Sequence, residues 1–201
     1  MSPNMTKPTP SQNYFASLHR FVEATEVTAR NGEGLQRLSL DAGLKTFIRN
    51  AVEAHARGNK VMFVGNGGSA GICSHMSTDY SKNGGIRSLA FNNGSVLTCL
   101  SNDYGYPHVF EEQIKWHGKQ GDVLVAISSS GRSENILRAA DMGTSIGCYV
   151  ATLSGFKPDN PLRDKGDLNL FLPSGEYGFV EVGHLALLHA ALDLKNQYLN
   201  A

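Results

Sequence analysis

The sequence has no cysteine pair at the spacing of a metal or redox motif, no excess charge of either sign and no apolar run of membrane-spanning length. Its three cysteines, Cys73, Cys99 and Cys148, stand in apolar or helical contexts and predict buried thiols of a reducing cytoplasm. Eighteen basic residues balance eighteen acidic ones, so no net field draws the chain to nucleic acid or anionic lipid. Met1–Pro10 is polar and proline-bearing without an apolar segment, which predicts a flexible tail and not a secretory signal. There is no Gly-Lys-Ser/Thr of a P-loop, no internal repeat and no low-complexity stretch. With 201 residues, 41% of them hydrophobic and 18% charged, the expectation is a cytoplasmic protein with one domain over 11–201.

What the chain does have is alternation. Apolar stripes of helical period run through 11–30, up to Asn31-Gly32, and through 36–57, up to Gly58-Asn59. The period then changes to short apolar runs, the mark of buried parallel strands: Val61–Val64, Arg87–Phe91, Val96–Leu100, Val123–Ile127, Cys148–Leu153 and Leu168–Leu172. Helices are expected at about 69–81, 109–118, 133–142 and, as one long closing element, 176–199. The pattern predicts a three-layer α/β fold: a five-stranded, mainly parallel sheet with helices on both faces. The two leading helices and the last exceed what such a sheet needs and are expected to pack on other subunits.

Two turns follow strands and open helices. The first is Gly65-Asn66-Gly67-Gly68-Ser69; the second is Ser128-Ser129-Ser130-Gly131-Arg132-Ser133. Free backbone N–H groups, hydroxyls and a helix N-terminus suit an anion such as phosphate. Gly65-x-Gly67-x-x-Ala70 formally fits a dinucleotide fingerprint, but that motif wants an acid after the next strand, and no Asp or Glu lies between Lys82 and Ser101. A nicotinamide cofactor is therefore disfavoured, and no nucleotide is expected. The first turn alone is also explained by tight strand–helix packing. Helix capping accounts for one serine of the second turn and not four. Together they predict a phosphorylated small molecule at the carboxyl edge of the sheet.

Titratable residues gather on two helices. His75 and Asp79 are four apart, and Glu181, His184 and His189 share the otherwise apolar last helix. Glu181 and His189 are separated by about 80° around the helix axis, so both lean toward one cleft. Polar groups on a buried helix need partners. These residues suit mutual pairing, a divalent metal such as zinc, or acid–base work.

From about Phe15 to Tyr198 the chain resembles the sugar isomerase (SIS) domain family, and within it the phosphoheptose isomerases. The resemblance rests on the two turns, His75, Asn102-Asp103-Tyr104-Gly105-Tyr106, Gly121-Asp122-Val123-Leu124, and the helix carrying Glu181, His184 and His189. It implies a flavodoxin-like fold, a homotetramer with active sites between subunits, and interconversion of sedoheptulose 7-phosphate and D-glycero-D-manno-heptose 7-phosphate. By position it implies Ser69, Ser128, Ser129, Ser130 and Ser133 on the phosphate, with Asn66 and Gly67 on the substrate side and Asp103 on the sugar. It implies zinc held by His75, Asp79, Glu181 and His189, with Asp79 and His189 as the acid–base pair and His184 matching a family histidine. The chain departs from the family pattern in having Asp79 for a glutamate, shorter by about 1.5 Å, and Glu181 for a glutamine, which makes Glu181 a second candidate base. Asn83 and Gly178 replace an arginine and an aspartate. The readings in competition are an isomerase of another phosphosugar, a non-catalytic sugar-phosphate module and a partner of a replication initiator.

Overall fold

Along the strand Val61–Gly65 the side chains alternate between two faces, and both faces are dry. Val61 and Phe63 enter one apolar cluster with Val123, Val125 and Ile127; Met62 and Val64 enter a second with Leu124 and Ala126. A strand apolar on both sides is stable only between two layers of helices. The computed structural model, which describes residues 7–200, has that arrangement. In chain order its helices and strands are α1 Pro10–Glu23, β1 Glu26–Asn31, β2 Gly34–Leu38, α2 Leu40–Ala56, β3 Val61–Gly65, α3 Gly68–Lys82, β4 Ser88–Ala90, α4 Gly94–Tyr104, α5 Val109–His117, β5 Val123–Ser128, α6 Glu134–Ser145, β6 Tyr149–Ser154, β7 Leu168–Phe171, α7 Tyr177–Asp193 and α8 Lys195–Asn200. Leu44, Phe47, Met76, Tyr80, Leu187 and Leu188 bring α2, α3 and α7 onto one face; Leu100, Phe110, Ile114 and Ile136 bring α4, α5 and α6 onto the other.

The sheet has seven strands in the order β2-β1-β7-β6-β5-β3-β4, not the expected five. β3 to β7 are parallel; β1 runs antiparallel to both β2 and β7. The added pair occupies sequence expected to be helical. Asn31 and Gly34 face each other across a two-residue turn, and the Asn31 side chain accepts the Glu33 backbone N–H at 2.9 Å. An Asn-Gly step between Val27-Thr28 and Leu35–Leu38 is a hairpin signal that the helical stripe overrode. α1 therefore stops at Glu23 and α2 starts at Leu40 behind its Ser39 cap.

Three other expectations change. Val96–Leu100 is helical, inside α4, because Asn93 caps the element by accepting the Val96 N–H at 3.1 Å. The closing helix divides at Leu194, where no glycine or proline announces a break. Cys73 and Cys148 are buried as expected, but Cys99 is exposed on α4. Of the expected tail, Met1–Thr6 lies outside the described residues, while Thr9 already caps α1 and Pro10 is its first residue. α1 buries none of its residues; Tyr14 and Phe21 rest on Phe179 of α7 with ring centroids 4.6 and 5.3 Å away. Among the described residues no helix is long and apolar enough to cross a membrane.

Candidate active site

β3 and β5 are neighbours, with Gly65 opposite Ile127, so the two turns leave the sheet side by side. From β3 the chain moves outward to β4, and from β5 it moves the other way to β6. That divergence opens a crevice at the carboxyl ends of the strands, the usual ligand position in such sheets. The crevice is a cavity of about 190 Å³ lined by Asn66–Ser69, Ile127–Ser130, Ser133, Tyr177 and Glu181. Of the expected substrate-side residues, Asn66, Gly67, Ser69, Ser128, Ser129, Ser130 and Ser133 all come together here. Asp103 does not: it sits on the exposed side of α4, accepting from Asn102 Nδ2 at 2.9 Å and from the Cys99 thiol at 3.5 Å.

The turns are held in shape by several contacts. Gly67 has φ 54° and Gly131 φ 63°, the left-handed region that favours glycine. A Cβ on Gly131 would also collide with the Asn160 side chain, which is buried and donates to the carbonyls of Gly155 and Lys157. Ser128 Oγ donates to Ser133 Oγ at 3.2 Å and accepts the Gly131 N–H at 3.1 Å. Ser133 caps α6 with no side-chain bond to the helix, so the first-turn N–H groups find no acceptor in its hydroxyl.

Between the turns runs a polar clasp that sequence reasoning missed. Asn66 and Asn135 exchange amide hydrogen bonds at 2.9 Å each, and the Tyr106 hydroxyl donates to Asn66 Oδ1 at 2.8 Å. Asn135 is buried in the first turn of α6 and carries no motif signal. Tyr106 lies in the Asn102–Tyr106 segment already singled out, so that segment reaches the site through its tyrosine and not through Asp103.

The titratable set divides. His75 Nε2 lies 3.2 Å from His189 Nε2 and 3.5 Å from Asp79 Oδ2, and His189 Nδ1 lies 3.9 Å from the same oxygen. These three residues offer ligand atoms all within 4.8 Å of one another. Glu181 is not in that group. Its carboxylate lies against the N-terminus of α3, where a Cβ on Gly68 would collide with it. A negative charge is favoured at that helix end. α3 and α7 run side by side in one direction, Glu181 meeting Gly68 and His189 meeting His75. Seven residues of helix separate those levels, about 10 Å.

His184 faces away from the cleft. It is fully buried, and because carbonyls only accept, its Nε2–H donates to the Ser154 oxygen at 3.0 Å, leaving Nδ1 as an unpartnered acceptor. Burial pushes its pKa down to about 4, against the opposing pull of the Ser154 bond, so it is neutral at pH 7. The two replacements also have places: Asn83 is the exposed C-cap of α3, and Gly178 leaves room for the Tyr14 hydroxyl of α1, which a Cβ there would meet at 3.0 Å.

The donor set fits a divalent transition metal. Two imidazole nitrogens at about 2.0–2.1 Å from a tetrahedral zinc stand about 3.3 Å apart. His75 and His189 are at 3.2 Å, with a carboxylate oxygen beside them.

A mainly parallel sheet with two anion-suited turns at its switch point defines the class as an α/β domain with a candidate ligand crevice at its carboxyl edge. The family model of the SIS domain matches residues 33–155, and the chain belongs to that family. It is 30% identical to the phosphoheptose isomerase of Geobacter sp. strain M21 over 174 residues, 84% of this chain and 87% of the relative. To the phosphoheptose isomerase of Clostridium acetobutylicum it is 30% identical over 185 residues, 89% and 91% of the two chains. The solved phosphoheptose isomerase of Neisseria gonorrhoeae superposes with a TM-score of 0.76 at 27% identity, covering 90% of this chain and 94% of that one. The fold is shared as well with the Francisella tularensis phosphoheptose isomerase, at a TM-score of 0.77 and 24% identity over 92% and 95%.

Proposed function

We propose that this protein is an aldose–ketose isomerase that converts sedoheptulose 7-phosphate to D-glycero-D-manno-heptose 7-phosphate for heptose biosynthesis. The observation that carries the reading is the separation of Gly68, which lines one crevice with the serine turn, from the His75–Asp79–His189 group, on the order of 10 Å along α3. An open-chain heptose phosphate, from phosphorus to its first carbons, has about that length. Curated relatives named phosphoheptose isomerase support it over most of the chain.

In this reading the phosphate is held by Ser128, Ser129, Ser130 and Ser133 with the α6 N-terminus, and Ser69 assists from the first turn. No lysine or arginine lines that crevice, so neutral donors carry the recognition. The carbonyl end lies between α3 and α7. Asp79 takes the proton from C1 of the ketose and returns it to C2, passing through a cis-enediol, and His189 moves the proton between the two oxygens. Glu181, on the phosphate side, accepts hydrogen bonds from hydroxyls in the middle of the chain. Asp79, held beside both imidazoles, is thus the preferred base. His75, Asp79 and His189 would hold zinc or a similar ion, which would polarise the carbonyl when bound.

The test is direct. Incubated with sedoheptulose 7-phosphate, the protein is expected to produce the aldose, and a chelator is expected to lower the rate at least tenfold, with recovery on adding zinc. Absence of product in both conditions would remove the isomerase reading in favour of a binding module or another phosphosugar. Undiminished turnover with chelator would remove the metal.

We further propose a cytoplasmic homotetramer. The support is that α1 buries none of its residues and leaves Tyr14 and Phe15 43% and 65% exposed, while Val182 of α7 is also exposed. Light scattering is expected to give a mass near four times 21.7 kDa; a monomer mass would refute it.

A further inference from the structure

A second cavity, of about 360 Å³, adjoins the phosphate crevice. Ser130 lines both, and Tyr177 of the first crevice stacks edge-on against Phe156 of the second, with ring centroids 4.8 Å apart. The second cavity is lined by Ser130, Arg132, Phe156, Lys157 and Gly175, so it brings two cations beside a crevice that has none. The Arg132 guanidinium is engaged on one side by Asp159, at 3.1 Å from the carboxylate and 3.4 Å from the backbone oxygen. No hydrogen bond or ion pair is made by the Lys157 ammonium among the described residues. The wall between them is a residue in an uncommon conformation. Phe156 has φ 61°, the one positive φ outside glycine among the described residues, and its N–H is tied to the Ser174 oxygen at 2.8 Å. A bulky side chain holds that conformation only when its surroundings impose it. Here it keeps Phe156 and the adjacent Lys157 in the lining of the cavity that Arg132 also lines.

The geometry points to a second anion subsite at Arg132 and Lys157, taking the outer phosphate of a ligand whose inner phosphate sits on the Ser128–Ser133 turn. The chemical class is a diphosphate, free or esterified. A monophosphorylated sugar places its phosphate in the serine crevice and its carbon chain toward α3 and α7 and leaves this subsite open, so a diphosphate would act as a competitive inhibitor and not as a substrate. The inference rests on the phosphate assignment made above.

The probes are inorganic orthophosphate and pyrophosphate, titrated calorimetrically against the full-length protein with a chelator present throughout, so that capture of a metal by pyrophosphate does not contribute. Pyrophosphate is expected to bind at least tenfold more tightly than orthophosphate. In the double variant Arg132→Ala/Lys157→Ala that advantage, the ratio of the two affinities, is expected to fall below twofold while orthophosphate still binds. Both residues are exposed at their tips, and the circular dichroism melt of the variant is the check that it folds. Equal affinities in the unaltered protein would overturn the subsite, as would a pyrophosphate advantage that survives in the folded double variant. Failure of orthophosphate itself to bind would instead strike the phosphate assignment. Lys157→Arg provides a second measure: it is expected to keep the advantage, and its loss there would also count against an electrostatic subsite.

Discussion

Replacement of His189 by glutamine is expected to lower the isomerisation rate by about 10²–10⁴-fold, the usual contribution of a positioned acid–base group. Orthophosphate affinity is expected to stay within twofold. The two effects separate because His189 belongs to the α3–α7 group, facing His75 at 3.2 Å, while the crevice at the serine turns is lined by other residues. Glutamine retains a polar tip of similar reach but cannot take up and release a proton near neutral pH. His189 is about one-third exposed at its side chain, so the fold should be little disturbed, within about 0.5 kcal/mol. A variant that turns over at an unchanged rate would remove His189 from the chemistry. One that loses phosphate binding as well would show that the two ends of the site are not independent. The Asp79→Asn variant is expected to behave alike, whereas Glu181→Gln is expected to lose tenfold or less, because Glu181 stands at the other end of the cleft.

The second large effect concerns stability. In the folded protein His184 has a pKa pushed down to about 4 by burial, while in the unfolded chain it returns to about 6.5. The unfolded state therefore binds more protons between those values, and folding free energy falls as pH falls through that window. For this one group the loss between pH 7 and pH 5 is about 2 kcal/mol, nearing about 3 kcal/mol at pH 4. Urea unfolding midpoints at pH 7 and pH 5 provide the measurement. His184→Gln offers a side-chain N–H toward the Ser154 oxygen without a titrating ring, and is expected to be less stable at pH 7 but to have a pH dependence shallower by that amount. If the two proteins lose stability in parallel, the acid sensitivity does not originate at His184. The same bond fixes the end of β6 next to the Gly155 backbone that receives Asn160, whose side chain packs on Gly131, so His184 supports the Ser128–Ser133 turn from behind.

Much of the fold was legible because buried parallel strands leave a local record. The runs at Val61–Val64 and Val123–Ile127 are apolar at every position, and Cys148–Leu153 is broken only by Thr152, buried and bonded to the Leu168 oxygen; only a strand covered on both faces requires this. Their helices followed from the glycine and serine turns. The misreadings have physical causes as well. Glu26–Leu38 carries a hairpin whose Asn31-Gly32 signal also reads as a helix stop, and Val96–Leu100 has strand-like composition that the Asn93 cap and the need to cover a sheet face overruled. The break at Leu194 has no local signal, since Leu194 and Lys195 are ordinary helix formers.

The sequence by itself determined where the two anion-suited turns lie and which titratable groups are available. Strand–turn–helix junctions rich in glycine and serine dictate anion binding through backbone geometry, a local property. It also identified which histidines and carboxylates share helix faces, because helical period is local too. Only the tertiary structure decided how those residues divide. The parallel packing of α3 on α7 set His189 opposite His75 and Asp79, and Glu181 opposite Gly68 about 10 Å away. Tertiary packing likewise turned Asp103 out of the crevice, brought Tyr106 and Asn135 onto Asn66, and buried His184 behind β6. Spacing along one helix says nothing about the register of its neighbour, and that register separates Glu181 and the serine-lined crevice from the His75–Asp79–His189 group.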